Sequence, residues 1–204
     1  MHAADALFEM GRHDEALAIR EGLLRNPGLE HGQRVRTMSS MSSEMFCIGR
    51  MDEAIALKRK VYELIAQTAA NDSWWRGEAL QTALHLATML AAAERFAEAA
   101  DLMRERIPEA RAWLGPKHET TLMFRENYCS NIVWDPNASA NALRECEGLL
   151  EVLCREQRQI FGASHPSLEV TQQLLQCAQA RLAGKSFTLM MQGALKRVIP
   201  PPRK

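Results

Sequence analysis

The sequence predicts an all-α chain built as a stack of antiparallel helix pairs. Three observations carry that expectation. First, a short phrase recurs as Gly28-Leu29-Glu30-His31, Gly115-Pro116-Lys117-His118 and Gly162-Ala163-Ser164-His165. The last two histidines lie 47 residues apart and the first two 87 apart, two periods with one degraded copy between them. Self-similarity at a period of roughly 20–50 residues marks a stacked repeat architecture. Second, Gly11-Arg12-His13-Asp14-Glu15-Ala16-Leu17 returns as Gly49-Arg50-Met51-Asp52-Glu53-Ala54-Ile55 and again as Glu94-Arg95-Phe96-Ala97-Glu98-Ala99-Ala100. Third, β-branched residues never alternate with polar ones over a useful length, so strand signals are nearly absent.

Taken in order, the elements follow from these two signatures. A first helix of about ten residues runs up to Gly11, as though the chain opened inside a repeat. Turns follow near positions 11, 49, 94, 137 and 184, with steps of 38, 45, 43 and 47 residues. At each turn a glycine ends one helix, because it tolerates the left-handed conformation. Acidic residues then complement the next helix dipole, and a small alanine lets the two helices approach closely. Between pairs, the Gly-x-x-His linker breaks one helix and sets histidine just before the next. Pro166 fits a first helical position, where the missing N–H costs nothing. Val35, Met38, Met41 and Met45, then Leu80, Ala83, Leu86 and Leu90, then Leu168, Leu174, Leu175 and Leu182 recur at helical spacing. The copy around Asn137 is worn. A last amphipathic helix is expected over 186–199, burying Phe187, Met190, Met191, Leu195 and Val198. One repeat domain is expected over 1–198, followed by a Pro-rich basic tail over 199–204.

Composition narrows the function. The 204 residues carry 25 basic and 25 acidic side chains, for a formal net charge of zero. That balance gives no electrostatic reason to expect nucleic acid or an anionic membrane as partner. No apolar run reaches the ~20 residues of a membrane span, and the first residues lack a basic-then-apolar secretion layout. Five cysteines without a Cys-x-x-Cys pair suggest neither a disulfide framework nor a zinc knuckle. Buried thiols and a cytoplasmic location are expected. Gly-x-Ser-x-Gly, a full phosphate loop and His-Glu-x-x-His are all missing, so no enzyme is expected. Gly184-Lys185-Ser186 only echoes the end of such a loop. His31, His118 and His165 occupy equivalent linkers of different repeats, which stacking holds roughly 15–20 Å apart. Capping is therefore expected of them and not metal binding, and no cofactor is implied.

The linkers and turns resemble tetratricopeptide (TPR) repeats of the kinesin light chain type. Gly115-Pro116-Lys117-His118-Glu119-Thr120-Thr121-Leu122 is similar to that family's Gly-Pro-x-His-Pro-x-Thr-Leu linker, with Glu119 in place of proline. Gly162-Ala163-Ser164-His165-Pro166-Ser167-Leu168 matches with one residue fewer. Leu84-His85-Leu86-Ala87 and Met38-Ser39-Ser40-Met41-Ser42 stand where the family has Leu-Asn-Asn-Leu-Ala. The resemblance implies a right-handed α-solenoid, a TPR-like superhelix, whose first helices line a concave surface. It further implies that the second Asn of the pair faces this groove and holds the backbone of an extended peptide. The matching positions are Ser40, His85, Asn127 and Gln173, of which Asn127 alone retains the family residue. Nearby charges at Arg36 and Arg125, with Arg76 and Glu126, would tune the choice of peptide.

The expected function is a non-enzymatic scaffold binding a protein or peptide ligand along the groove. Two alternatives stay open: a cargo-adaptor fragment of a motor, and a regulatory repeat module of a larger signalling protein. The corresponding partners are a motor or a signalling complex. A light chain carries a heptad coiled coil ahead of its repeats, and none stands in these residues, so peptide binding is expected ahead of motor assembly. Trp74-Trp75 occupies the degraded linker. The pair either fills the gap of an irregular loop or forms a hot spot for a partner.

Overall fold

A computed structural model describes residues 2–69 and 72–184. The chain divides into two compact units, 1–95 and 96–204. Among the described residues there are nine helices and no strands. The expected helix over 186–199 and the tail over 199–204 lie outside the described residues.

In the first unit, α1 (His2–Glu9) pairs with α2 (His13–Leu24), and α3 (His31–Cys47) pairs with α4 (Met51–Ala69). α2 packs on α3, and α4 packs on α5 (Ser73–Ala92). Each turn is built alike. Gly11 and Gly49 take φ of +75° and +82°. The amides beyond them close the helix ends, Arg12 N on Leu7 O at 2.9 Å and Arg50 N on Met45 O at 2.9 Å. These are the six-to-one bonds of a Schellman termination. The Arg and Glu of the repeated motif then pair within the first turn of the next helix. Arg12 Nε lies 2.7 Å from Glu15 Oε1, and Arg50 Nε lies 2.7 Å from Glu53 Oε1.

The third copy keeps the geometry without the glycine. Arg95 N reaches Leu90 O at 2.8 Å, and Glu94 itself adopts φ +58°. The alanines of the motif, Ala16, Ala54 and Ala99, are fully buried.

The second unit comprises α6 (Phe96–Leu114), α7 (Glu119–Trp134), α8 (Ala140–Phe161) and α9 (Pro166–Leu182). α7 lies against α6, α8 and α9. Its buried residues, Leu122, Phe124, Tyr128, Cys129, Asn131 and Val133, accordingly spread around its circumference instead of forming one stripe. The worn turn near 137 is built differently. Asp135 Oδ1 accepts from Asn137 N at 2.8 Å, and Ser139 Oγ caps α8 by accepting from Ala142 N at 3.1 Å. Short polar side chains here accept from the amides of the turn and of the next helix start, where the other turns are set by the helix end at glycine.

The linker histidines divide. His118 Nδ1 and His165 Nδ1 cap α7 and α9, accepting from Thr120 N at 3.2 Å and Ser167 N at 3.3 Å. His31 instead opens α3 as a helical residue, with Nε2 3.2 Å from Thr68 Oγ1. All five cysteines are free. Burial was expected of them, yet Cys47 at the last turn of α3 is exposed, while Cys129 and Cys146 are buried. Their mutual hydrogen bond, and then burial, push the Cys129 thiol well above the usual range.

Candidate peptide-binding face

Asn127 and Gln173, at equivalent places on α7 and α9, line one open hollow of about 200 Å³ together with Ser130, Trp134, Val170 and Cys177. Among the lining apolar side chains Val170 is open, at 47% exposure. The two amides are held in place. Asn127 Nδ2 donates to Met123 O at 2.9 Å, one turn back along α7, and Gln173 Nε2 donates to Glu169 Oε1 at 3.3 Å. Each amide oxygen is thereby left to accept from an incoming N–H. Glu126 fixes the walls. Its Oε2 accepts from Thr171 Oγ1 of α9 at 2.6 Å and from Gln157 Nε2 of α8 at 3.3 Å.

Arg125 does not join this hollow. Two residues before Asn127 it points about 200° away around the helix, where its Nη1 pairs with Glu156 Oε2 of α8 at 2.5 Å. It therefore belongs to a different surface of α7.

In the first unit, Ser40 on α3 is half-buried, while Arg36 on α3 and His85 on α5 are exposed. A residue that the sequence reading passed over stands behind them. Lys58 of α4 is 1% exposed, and its Nζ donates to Ser39 Oγ at 2.9 Å and to Ser39 O at 3.3 Å. No carboxylate of the described residues pairs with it. Burial alone lowers its ammonium to about 8. The His85 imidazole is also held below its usual value, first by desolvation and then by the Lys58 charge. The signal was present in the spacing, for Lys58 falls in the stripe Ala54, Val61, Ile65 that α4 buries.

The two tryptophan rings meet edge-on at 4.6 Å but differ in what else they touch. Asp72 Oδ1 caps α5 by accepting from Trp74 N at 2.8 Å, doing in the degraded linker what His118 and His165 do in theirs. Trp74 is 56% exposed. Trp75 packs on the Val35, Val61, Ile65 and Ala79 cluster, with its ring edge-on to His31 at 5.0 Å. Among the described residues no group of three or more His, Cys, Asp or Glu is placed to hold a metal ion, and no helix is long and apolar enough to cross a membrane.

No protein-family model matches the chain, and no curated protein matches it. Solved structures do. The chain superposes on a kinesin light chain-like protein of Podosopora anserina built from nearly identical TPR-like repeats, with TM-score 0.67, 18% identity, and coverage of 96% of this chain and 94% of that one. A point variant of the same protein gives TM-score 0.68 at 18% identity, covering 95% and 90%. The fold is that of the TPR-like repeats. A third TPR-like neighbour, BtubC (BKLC) of P. vanneervenii, has TM-score 0.60 and 12% identity, with 98% and 81% of the two chains covered. The four expected ligand-facing positions fall on α3, α5, α7 and α9.

Proposed function

We propose that this chain is a non-enzymatic protein-interaction scaffold that receives an extended peptide on the exposed faces of its first helices. The observation that carries the reading is the hollow between α7 and α9. Equivalent amides from two successive repeats, Asn127 and Gln173, border it beside the open side chain of Val170. Fixed acceptors spaced along an apolar floor suit a peptide, whose backbone repeats its donors and whose side chains seek apolar contact. Each such bond contributes on the order of 1 kcal/mol, so useful affinity needs several. In the first unit Ser40 and His85, flanked by Arg36, supply the corresponding polar positions. Its soluble partners would meet it in the cytoplasm.

The test is selection of peptides from a displayed random library against the wild-type chain, with affinities remeasured on Asn127→Ala, Gln173→Ala and Ser40→Ala/His85→Ala. Selected peptides should bind at least about tenfold more weakly to the Asn127→Ala/Gln173→Ala chain. Melting should stay within about 0.5 kcal/mol of wild type, because these side chains make few packing contacts. Peptides that bind all variants equally would sink the reading. Enrichment of motor-cargo sequences would favour the cargo-adaptor form of the scaffold, and of regulatory-domain sequences the signalling form.

A further inference from the structure

On the other side of α7 from Asn127 lies a larger cavity, about 420 Å³, walled by α6 and α8 and floored by α7. The α6 wall presents Arg104, Ile107, Pro108 and Arg111, the i, i+3, i+4, i+7 face of that helix. The α8 wall presents Leu149 and Val152 between Glu145 and Glu156. This volume lies in the range of small-molecule sites, roughly 300–1,000 Å³, which are mostly apolar with a few placed polar groups.

Three of those groups, Tyr128, Arg111 and Glu145, have no partner among the described residues. Tyr128, 8% exposed, lines the floor, and its hydroxyl makes no hydrogen bond with the described residues. Arg111, at the last turn of α6, has no ion pair with the described residues. The other lining charges are occupied. Arg125 holds Glu156 at 2.5 Å, and Arg104 holds Asp101 at 2.7 Å. Burial pushes the Tyr128 phenol up to about 12, so it stays a donor at neutral pH. Glu145 on the α8 wall repels an anion, which directs a negative group to the α6 side, where Arg111 stands.

We propose that this cavity binds a free amphipathic carboxylic acid, with its alkyl or aryl body between Ile107, Pro108, Leu149 and Val152 and its carboxylate on Arg111. The Tyr128 hydroxyl donates to the same ligand from the floor. The site is separate from the peptide-binding face, so the two readings stand or fall independently.

The probe is octanoate, titrated calorimetrically into the full chain, with octanol as its uncharged counterpart. The expected result is saturable one-site binding, with octanol, Arg111→Ala and Arg111→Glu each weaker by about tenfold or more, the worth of one charge-assisted contact. Tyr128→Phe should weaken octanoate several-fold while leaving the melting temperature unchanged or raised, since it removes an unpartnered hydroxyl. Absence of saturable octanoate binding at millimolar concentration would overturn the proposal. So would binding that neither the Arg111 nor the Tyr128 substitutions alter, or octanol binding as tightly as octanoate.

Discussion

The guanidinium of Arg20 on α2 and the carboxylate of Glu44 on α3 form a buried two-point contact, with Nε 2.8 Å from Oε1 and 3.0 Å from Oε2. Arg20 also reaches Asp5 of α1 at 2.5 Å, so one cation ties three helices of the first unit together. Its Nη1 is buried without a partner. Removing Glu44 would leave the Arg20 charge dependent on the half-exposed Asp5. Glu44→Ala is expected to cost about 3–5 kcal/mol in urea denaturation, since it strands a buried ion. The double variant Arg20→Met/Glu44→Leu should recover most of that loss. A double variant no better than Glu44→Ala would show that the contact contributes more than mutual neutralisation.

At the third turn, the strain falls on one residue. Glu94 is the only non-glycine with positive φ among the described residues. An L side chain there costs about 1–2 kcal/mol, partly offset by the looser unfolded chain that glycine would bring. Glu94→Gly should therefore raise stability by about 0.5–1 kcal/mol, and Gly49→Ala should lower it by about 1 kcal/mol. Equilibrium unfolding of the two variants beside wild type decides this, and a destabilised Glu94→Gly would contradict it.

Lys58 makes stability depend on pH in alkaline solution. Its ammonium is lowered from 10.5 to about 8 in the folded chain. Below pH 8 both folded and unfolded chains carry the proton, and the folded one bears the cost of burying it. Between about 8 and 10.5 the folded chain sheds the proton that the unfolded chain keeps, so stability rises with pH over that window. The full cost is on the order of 3 kcal/mol. Lys58→Met should be more stable than wild type by about 1–3 kcal/mol at neutral pH, with the gap closing towards pH 10. A gap that stays constant across that range would show that Lys58 keeps its proton.

The neighbouring tryptophans should respond unequally to truncation. Trp75→Ala removes a ring packed on Val35 and His31 and should cost about 2–4 kcal/mol. Trp74→Ala should cost less, about 0.5–1.5 kcal/mol, because that ring is 56% exposed and its contact is the edge-on one with Trp75. Thermal melts of the two variants would show the difference, and equal losses would mean that the pair packs as a unit.

The helix pairs, their turns and much of their capping were legible in the residues alone. Those features rest on local chemistry: glycine at a left-handed turn, Arg pairing with Glu three residues on, and histidine or serine accepting at a helix start. The buried alanines were legible too, because a period of helix turns selects one face. What each exposed or charged side chain meets was settled by the folded arrangement. It placed Arg125 against Glu156, two residues and more than half a helical turn from Asn127. It buried the charge of Lys58 beside Ser39 and gave Trp75, but not Trp74, a core to pack on. It opened the cavity over Tyr128 between α6 and α8. Such outcomes depend on helices distant in sequence approaching one another, and a repeat pattern records which residues are equivalent, not which neighbours they will face.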